Sequence, residues 1–137
     1  MHKGACPPAG RLRGVSSLLE TALDLVVRDL RRTGGITLRL LDEPVDNDPA
    51  YESLWMLSGR TARTGLLVPL DLAEPERLVH VADQVQEFVL EELGRLGLPA
   101  TWPECPEHPG SHPLTPRLGP CWVCPKSGDA IAAIGEL

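Results

Sequence analysis

Long apolar runs are missing from this sequence of 137 residues. A membrane-spanning helix needs about 20 consecutive apolar residues, and none of the runs approaches that length. No secretory hydrophobic segment follows Met1-His2-Lys3. We also find no internal repeat and no combination of nucleophile, general base and oxyanion donor. These absences argue against a membrane protein and give no support to an enzyme.

An excess of positive charge is missing as well, because the formal net charge is −6. Residues 1–39 hold seven Lys or Arg and three acids, whereas the remainder holds six basic and sixteen acidic residues. The phosphate backbone repels a net acidic chain, so the composition argues against nucleic acid as a partner. The basic N-terminal part could still contact an acidic partner.

Cysteines are few, at four, and three of them lie close together near the C-terminus. Cys105 and His108 are spaced C-x2-H, and Cys121 and Cys124 are spaced C-x2-C. At this spacing one tight turn can present both side chains to a single point, and two such turns complete the tetrahedral site that zinc prefers. A glycine follows each pair, where the returning backbone needs a residue that tolerates positive φ. The pattern predicts a zinc site.

The fourth ligand is ambiguous, because His112 lies seven residues after Cys105 and could replace His108. Spacing within a ligand pair is normally tight, which favours His108. We therefore expect Cys105, His108, Cys121 and Cys124 to bind the metal, with His112 as the alternative to His108.

The Cys-Pro-x-His-x-Gly and Cys-x-x-Cys segments resemble the paired knuckles of zinc-ribbon proteins, with His108 in place of one cysteine. The sequence from Trp102 to Leu114, together with Trp122 to Pro125, is similar to the tails of small actinobacterial proteins. The resemblance covers about residues 100–137 and implies no known activity. Trp102 and Trp122 flank the ligands, and we expect them to form a small core that shields the site.

A catalytic alternative uses the same residues. Cys105-x-Glu107 followed by Pro120-Cys121-x-x-Cys124 resembles the signature of zinc deaminases, in which the glutamate shuttles protons and zinc binds a water. Those enzymes place the first motif at the start of a helix, which the prolines between 103 and 113 forbid here. Four protein ligands would leave the metal no open position, so we expect a structural metal.

The first hundred residues carry helical and strand patterns. Ser17 and Glu20 form a capping box in front of apolar residues at helical spacing, which predicts a helix at about 16–33. Strands are expected at 36–40, 52–57 and 65–70, the last two joined by a hairpin. A second helix is expected to begin at Glu74-Pro75 and to end at Gly97, with His80 on its solvent-exposed face.

These elements predict an α+β fold: a helix, a three-stranded antiparallel meander and a long helix, followed by a small C-terminal zinc ribbon. The expected domains are a flexible arm at 1–14, the α+β domain at 15–99 and the zinc-ribbon tail at 100–137. We expect the three C-terminal cysteines to be committed to metal, which leaves no need for disulfides and favours the reducing cytoplasm.

The function expected from the sequence is that of a non-enzymatic, zinc-stabilised cytoplasmic protein acting as an interaction or regulatory module. Its partner would be a protein, and a homodimer is left open. One alternative is a nucleic-acid-associated regulator, since zinc ribbons often serve in that role. The other is a zinc hydrolase or deaminase-like enzyme that uses Glu107 with a histidine unligated.

Overall fold

Two helices and two antiparallel sheets form the fold in a computed structural model that describes residues 17–137. In chain order the elements are α1 (Leu18–Thr33), β1 (Arg39–Leu41), β2 (Tyr51–Ser58), β3 (Ala62–Pro69), α2 (Glu74–Arg95), β4 (Thr115–Arg117), β5 (Cys121–Val123) and β6 (Ala130–Ala133). The α+β class and the order of helix, meander and helix are confirmed. The arm predicted over 1–14 and Cys6 lie outside the described residues.

One of the two hydrogen bonds of the capping box predicted for α1 is present at its first turn. The Ser17 Oγ accepts a hydrogen bond from the Glu20 N–H at 3.0 Å. At the other end the Gly34 N–H donates to the Leu30 carbonyl at 2.7 Å, and the helix stops there. Between the two caps, the apolar side of α1 is buried against α2.

The first sheet has the strand order β1-β2-β3, and one of its faces covers the core. Met56 of β2 and Leu66 of β3 point into that core, whereas Trp55 lies on the opposite face, as the alternation of side chains along a strand requires. The Arg63 guanidinium lies 4.1 Å from the centre of the Trp55 ring. Val45 of the loop before β2 also packs on this outer face, against Gly65.

The outer edge of β3 is covered by a side chain of α2. The Gln84 amide accepts a hydrogen bond from the Leu67 N–H at 3.3 Å and donates to the Leu67 carbonyl at 2.8 Å. His80 lies one turn earlier, exposed as predicted, with Nε2 at 3.2 Å from the same carbonyl. Because these groups occupy the free backbone of Leu67, they hinder another strand from pairing at this edge.

The second sheet has the order β4-β5-β6, and it shares one hydrophobic core with the helices and the first sheet. The C-terminal part contributes four large apolar side chains to that core, those of Trp102, Leu114, Trp122 and Ile134. A tail too short to bury its own interior is thereby stabilised by α1 and α2. The domain boundary at 99/100 remains a prediction. Neither helix of residues 17–137 is long and apolar enough to cross a membrane.

Candidate metal centre

Two cysteines and two histidines come together beside the second sheet. They are Cys105, His108, His112 and Cys124, and one ligand atom from each lies within 4.8 Å of all the others. Both cysteines are buried and both histidines are half-buried. We call these four residues the Cys2His2 group.

Four separations within the Cys2His2 group lie near those between the corners of a tetrahedron around one metal ion. His108 Nδ1 lies 3.6 Å from Cys105 Sγ and 3.5 Å from Cys124 Sγ. His112 Nε2 lies 3.9 Å from Cys124 Sγ and 3.1 Å from His108 Nδ1. Zinc bonds of about 2.3 Å to sulfur and about 2.0–2.1 Å to nitrogen place the corners of a tetrahedral site roughly 3.3–3.8 Å apart. These four separations lie near that range, and all six lie within 4.8 Å, so the four atoms surround a space in which a tetrahedral zinc ion could bind after small shifts.

A tight hairpin brings the first three members together. Glu104 and Pro113 form an isolated antiparallel bridge at its base. Inside it, the His108 N–H donates to the Cys105 carbonyl at 3.2 Å, and the Cys105 N–H donates to the His112 carbonyl at 3.4 Å. The prolines in this segment prevent a regular helix, so the chain folds back within a few residues and places three donor side chains on one side.

The orientation of His112 fixes which of its nitrogens can bind metal. His112 Nδ1 lies 2.9 Å from the Pro113 carbonyl oxygen, which can only accept a hydrogen bond. In a neutral ring this contact places the proton on Nδ1, and the lone pair of Nε2 is then available to bind a metal on the side of the other three members. Metal-binding histidines are commonly held in this way by a carbonyl or carboxylate.

The turn after β5 supplies Cys124. The Ser127 N–H points at Cys124 Sγ at 3.4 Å, and the Gly128 N–H donates to the Cys124 carbonyl at 2.8 Å. Gly128 has a φ of 79° and Gly110, in the first hairpin, has a φ of 71°. Both glycines thus adopt the positive φ that was predicted from their position after each ligand pair.

The two thiols have different electrostatic surroundings. Burial raises the pKa of the Cys105 thiol. Burial acts in the same direction on Cys124, but hydrogen bonds from Ser127 outweigh it and lower the pKa of that thiol. Cys124 is thus the better prepared to be a thiolate before metal arrives, whereas Cys105 would have to release its proton on binding.

Cys121 is the predicted ligand that the structure does not bring into the group. β5 continues through Val123, so Cys121 and Cys124 do not share one turn. Alternate residues of a strand face opposite sides, and Trp122 points into the main core while Cys121 packs against Ala133 on the other side. Cys121 is disulfide-bonded, unlike Cys105 and Cys124.

The fourth member of the group is His112, whereas the sequence predicted Cys121 as the fourth ligand. His112 was predicted only as an alternative to His108, whereas the structure brings both histidines into the group. The prediction that Cys105, His108, Cys121 and Cys124 bind the metal stays untested until metal binding is measured, and the Cys2His2 group is a second candidate set. The C-x6-H spacing of Cys105 and His112 was visible in the sequence, but the hairpin that makes it effective was not.

Side chains next to the group tie its two turns to each other and to the helices. The Ser127 Oγ donates to a Glu107 carboxylate oxygen at 2.8 Å, which joins the two turns. The Gln86 side chain of α2 donates to the Trp102 carbonyl at 3.2 Å and to the Leu114 carbonyl at 2.5 Å. Glu107 would shuttle protons in the deaminase alternative. In this structure its carboxylate instead joins the two turns through Ser127.

The two tryptophans that flank the group are core residues, as predicted. Their rings meet edge to face, with centroids 5.6 Å apart and planes at 73°. Trp102 Nε1 donates to the Thr33 hydroxyl at 3.0 Å and Trp122 Nε1 donates to Asp29 at 2.7 Å. Both indole N–H groups thus end on α1, so the metal turns are attached to the first helix.

One family of known proteins matches a segment of the chain that contains the Cys2His2 group. A family model described as a domain of unknown function (DUF8819) matches residues 74–134, from the start of α2 to just past β6. No curated protein and no solved structure matches the chain. The description of the family names neither a metal nor a zinc ribbon, so the zinc-ribbon resemblance remains a prediction.

Proposed function

We propose that the Cys2His2 group binds one zinc ion and that this ion stabilises a non-enzymatic protein whose role is to bind another protein. Two thiolates and two imidazoles are a donor set that zinc accepts readily, and one donor atom from each residue lies within 4.8 Å of the other three. The observation that carries the proposal is the His112 ring. Its Nδ1 is held by a carbonyl, so its Nε2 is aimed at the other donors.

A structural role for the ion follows from the number of donors. Four protein ligands fill a tetrahedral zinc ion, so no position is left for a water to act on a substrate. Cys105 and Cys124 are fully buried next to the core, at 0% exposure each. An ion held there would fasten the hairpin and the turn after β5 to each other, and its binding free energy would add to folding.

The binding role and the compartment belong to the same proposal. The role is supported by a groove at the C-terminal end of α1, whose lining combines aliphatic side chains with an arginine. Reduced thiols at Cys105 and Cys124 fit the cytoplasm, whereas a disulfide at Cys121 fits an oxidising compartment. A cytoplasmic location therefore stays a prediction that localisation of a tagged protein would test.

The experiment is to measure zinc per chain by mass spectrometry in protein purified without added metal. Wild type is compared with Cys105→Ser, His108→Ala, His112→Ala and Cys124→Ser. Cys121→Ser and His80→Ala serve as controls from outside the group. We expect one equivalent in wild type and in both controls, and loss of tightly bound zinc in the four variants.

Two results would contradict the proposal in different ways. If His112→Ala keeps zinc and Cys121→Ser loses it, the ligands are the two sequence pairs C-x2-H and C-x2-C. If wild type carries no metal, the structural role fails altogether. X-ray absorption at the zinc edge separates the enzyme alternative, because a water in the coordination shell would indicate a catalytic position.

A further inference from the structure

A groove lined by both aliphatic and polar groups lies between the last turns of α1 and the segment that follows the helix. On the helix side it is lined by Val27, Leu30 and Arg31, and on the other by Ile36, Thr37 and Leu38. It encloses about 350 Å³. A protein cavity of about 150 Å³ holds one benzene molecule, so the groove has room for more than one such side chain.

The groove exists because the chain passes very close to α1 at its end. A Cβ placed on Gly34 would lie 2.8 Å from the Leu30 carbonyl oxygen, so only glycine lets the backbone run there. Ile36 and Leu38 then return alongside the helix and pack against the core while remaining partly exposed. The groove is thus open to solvent and presents aliphatic side chains next to polar surface.

The charge around the groove is opposite to that of the protein as a whole. Segment 27–39 contains four arginines and a single acid, Asp29, in a chain whose net charge is −6. Asp29 is completely buried and is turned toward Trp122. One of the four arginines, Arg31, lines the groove, and its segment contributes no exposed acid.

Arg31 is the arginine of this segment that has no partner among residues 17–137. Arg28 and Arg32 bond to the C-terminal residues 135–137, and Arg39 bonds to the Gly59 carbonyl. Arg31 is exposed, lines the groove and makes no ion pair or hydrogen bond with another residue of 17–137. If a partner's carboxylate packs beside Arg31, the guanidinium can donate a charge-assisted hydrogen bond to it. The planar guanidinium matches the geometry of a carboxylate, which makes this recognition specific.

We infer that this groove binds an acidic segment of a partner protein, with aliphatic side chains against Ile36 and Leu38 and a carboxylate on Arg31. The inference names the partner chemistry of the proposed function and rests on it. A nucleic acid fits less well, because the groove offers no aromatic ring on which a base could stack and the net charge of the chain repels a polyanion.

The test begins with a phage-displayed library of random dodecapeptides, panned on the zinc-loaded full chain at about 0.15 M salt. Recovered peptides are synthesised with a fluorescent label, and their binding is measured by anisotropy. The variants are Arg31→Glu, which reverses the charge, and Thr37→Trp, which fills the groove. Arg60→Glu is the matched control, since Arg60 is equally exposed but lies on the β2–β3 turn outside the groove.

We expect the recovered peptides to combine Leu, Ile or Val with Asp or Glu. Their affinity should fall at least tenfold with Arg31→Glu and with Thr37→Trp, and stay within twofold with Arg60→Glu. Peptides without this pattern, or equal binding to wild type and Arg31→Glu, would overturn the inference. So would a labelled 20-base-pair DNA duplex that binds more tightly than the peptides and is lost with Arg31→Glu.

Zinc content is measured in the same samples, which separates this inference from the proposed function. Full zinc in Arg31→Glu and Thr37→Trp shows that the fold and the metal centre are intact, so a missing peptide signal would then count against the groove alone. Absence of zinc from wild type would count against the metal centre, whatever the peptides do.

Discussion

The Trp122 indole N–H donates to a carboxylate oxygen of Asp29 at 2.7 Å, across 93 positions of sequence. The same oxygen accepts from the Gly135 N–H at 2.6 Å, and the other oxygen accepts from the Leu137 N–H at 2.9 Å. Burial raises the pKa of Asp29, and the three hydrogen bonds oppose that rise. One buried carboxylate thus attaches β5 and the C-terminal residues to α1.

Replacing Asp29 by alanine is expected to lower the free energy of unfolding by about 3 kcal/mol or more. The change would leave three N–H donors without their acceptor, two of them backbone groups, and each buried unpaired donor costs about 1–3 kcal/mol. The measurement is urea denaturation at neutral pH with zinc held constant.

The control for Asp29 is Asp24, an exposed acid on the same helix. Asp24→Ala should change the free energy of unfolding by less than about 0.5 kcal/mol, as exposed positions usually do. Equal effects of the two substitutions would show that the hydrogen bonds from Trp122, Gly135 and Leu137 contribute nothing beyond ordinary helix propensity.

Removing zinc with a chelator is expected to lower the melting temperature. A ligand present at about 100 times its dissociation constant stabilises the folded state by about 2.7 kcal/mol, which corresponds to roughly 10 °C for a domain of this size. Calorimetry with and without chelator measures the shift. Cys124→Ser is the control, because a protein that has lost a ligand should melt at the same temperature in both conditions.

The helices and the first sheet could be predicted because their signals are local. Ser17 and Glu20 mark the start of α1, and α2 begins at the predicted Glu74. Apolar spacing identified the buried side of each helix. Strand ends were less exact, since β1 begins three residues after the predicted Ile36. Charge and apolar periodicity do not determine where a short edge strand starts to pair.

The composition of the Cys2His2 group could be predicted only in part, because it depends on the partner strands of β5. Short spacing suggested that Cys121 and Cys124 share a turn, but pairing of Cys121 with Ala133 extends the strand and turns Cys121 away from the group. The role of Asp29 had no local signal either. Its partners are 93 to 108 residues distant, and helical periodicity treats it as one more polar residue.

Glu92 should make stability depend on acid pH. Hydrogen bonds from the Arg95 guanidinium, at 3.0 Å and 2.8 Å, lower the pKa of this buried carboxyl from its ordinary 4.5. A pKa lower in the folded than in the unfolded state adds stability above pH 4.5, and this is lost as the pH falls through the folded value. Glu92→Gln should therefore be less stable than wild type at neutral pH, and the gap should close in acid.

The measurement is the difference in unfolding free energy between wild type and Glu92→Gln, taken by urea denaturation from about pH 7 to about pH 3. Any loss of metal in acid lowers the unfolding free energy of both proteins, so this contribution cancels in the difference. The exposed neighbour Glu91 provides the matched control, and Glu91→Gln should change the free energy of unfolding by less than about 0.5 kcal/mol at neutral pH. A gap for Glu92→Gln that stays constant with pH would contradict the assignment.

The outer face of the first sheet is shaped by the contact between Val45 and Gly65. A Cβ on Gly65 would lie 2.8 Å and 3.0 Å from the two Val45 methyl carbons. The loop cannot easily move aside, because the Val45 N–H donates to the Ser53 hydroxyl at 2.9 Å. Gly65→Ala is therefore expected to cost about 1–3 kcal/mol of unfolding free energy, the usual cost of overpacking.

A double-mutant cycle tests whether this contact is the cause. Gly65→Ala should cost less when Val45 is already alanine, with a coupling of roughly 1 kcal/mol, because the clashing methyl carbons are gone. Gly94→Ala in α2 is the opposite control, since its Cβ would meet nothing within 4 Å and alanine favours a helix by about 0.5–1 kcal/mol. If Gly65→Ala costs the same with and without Val45, the loop does not constrain this position and the cost lies in the sheet backbone.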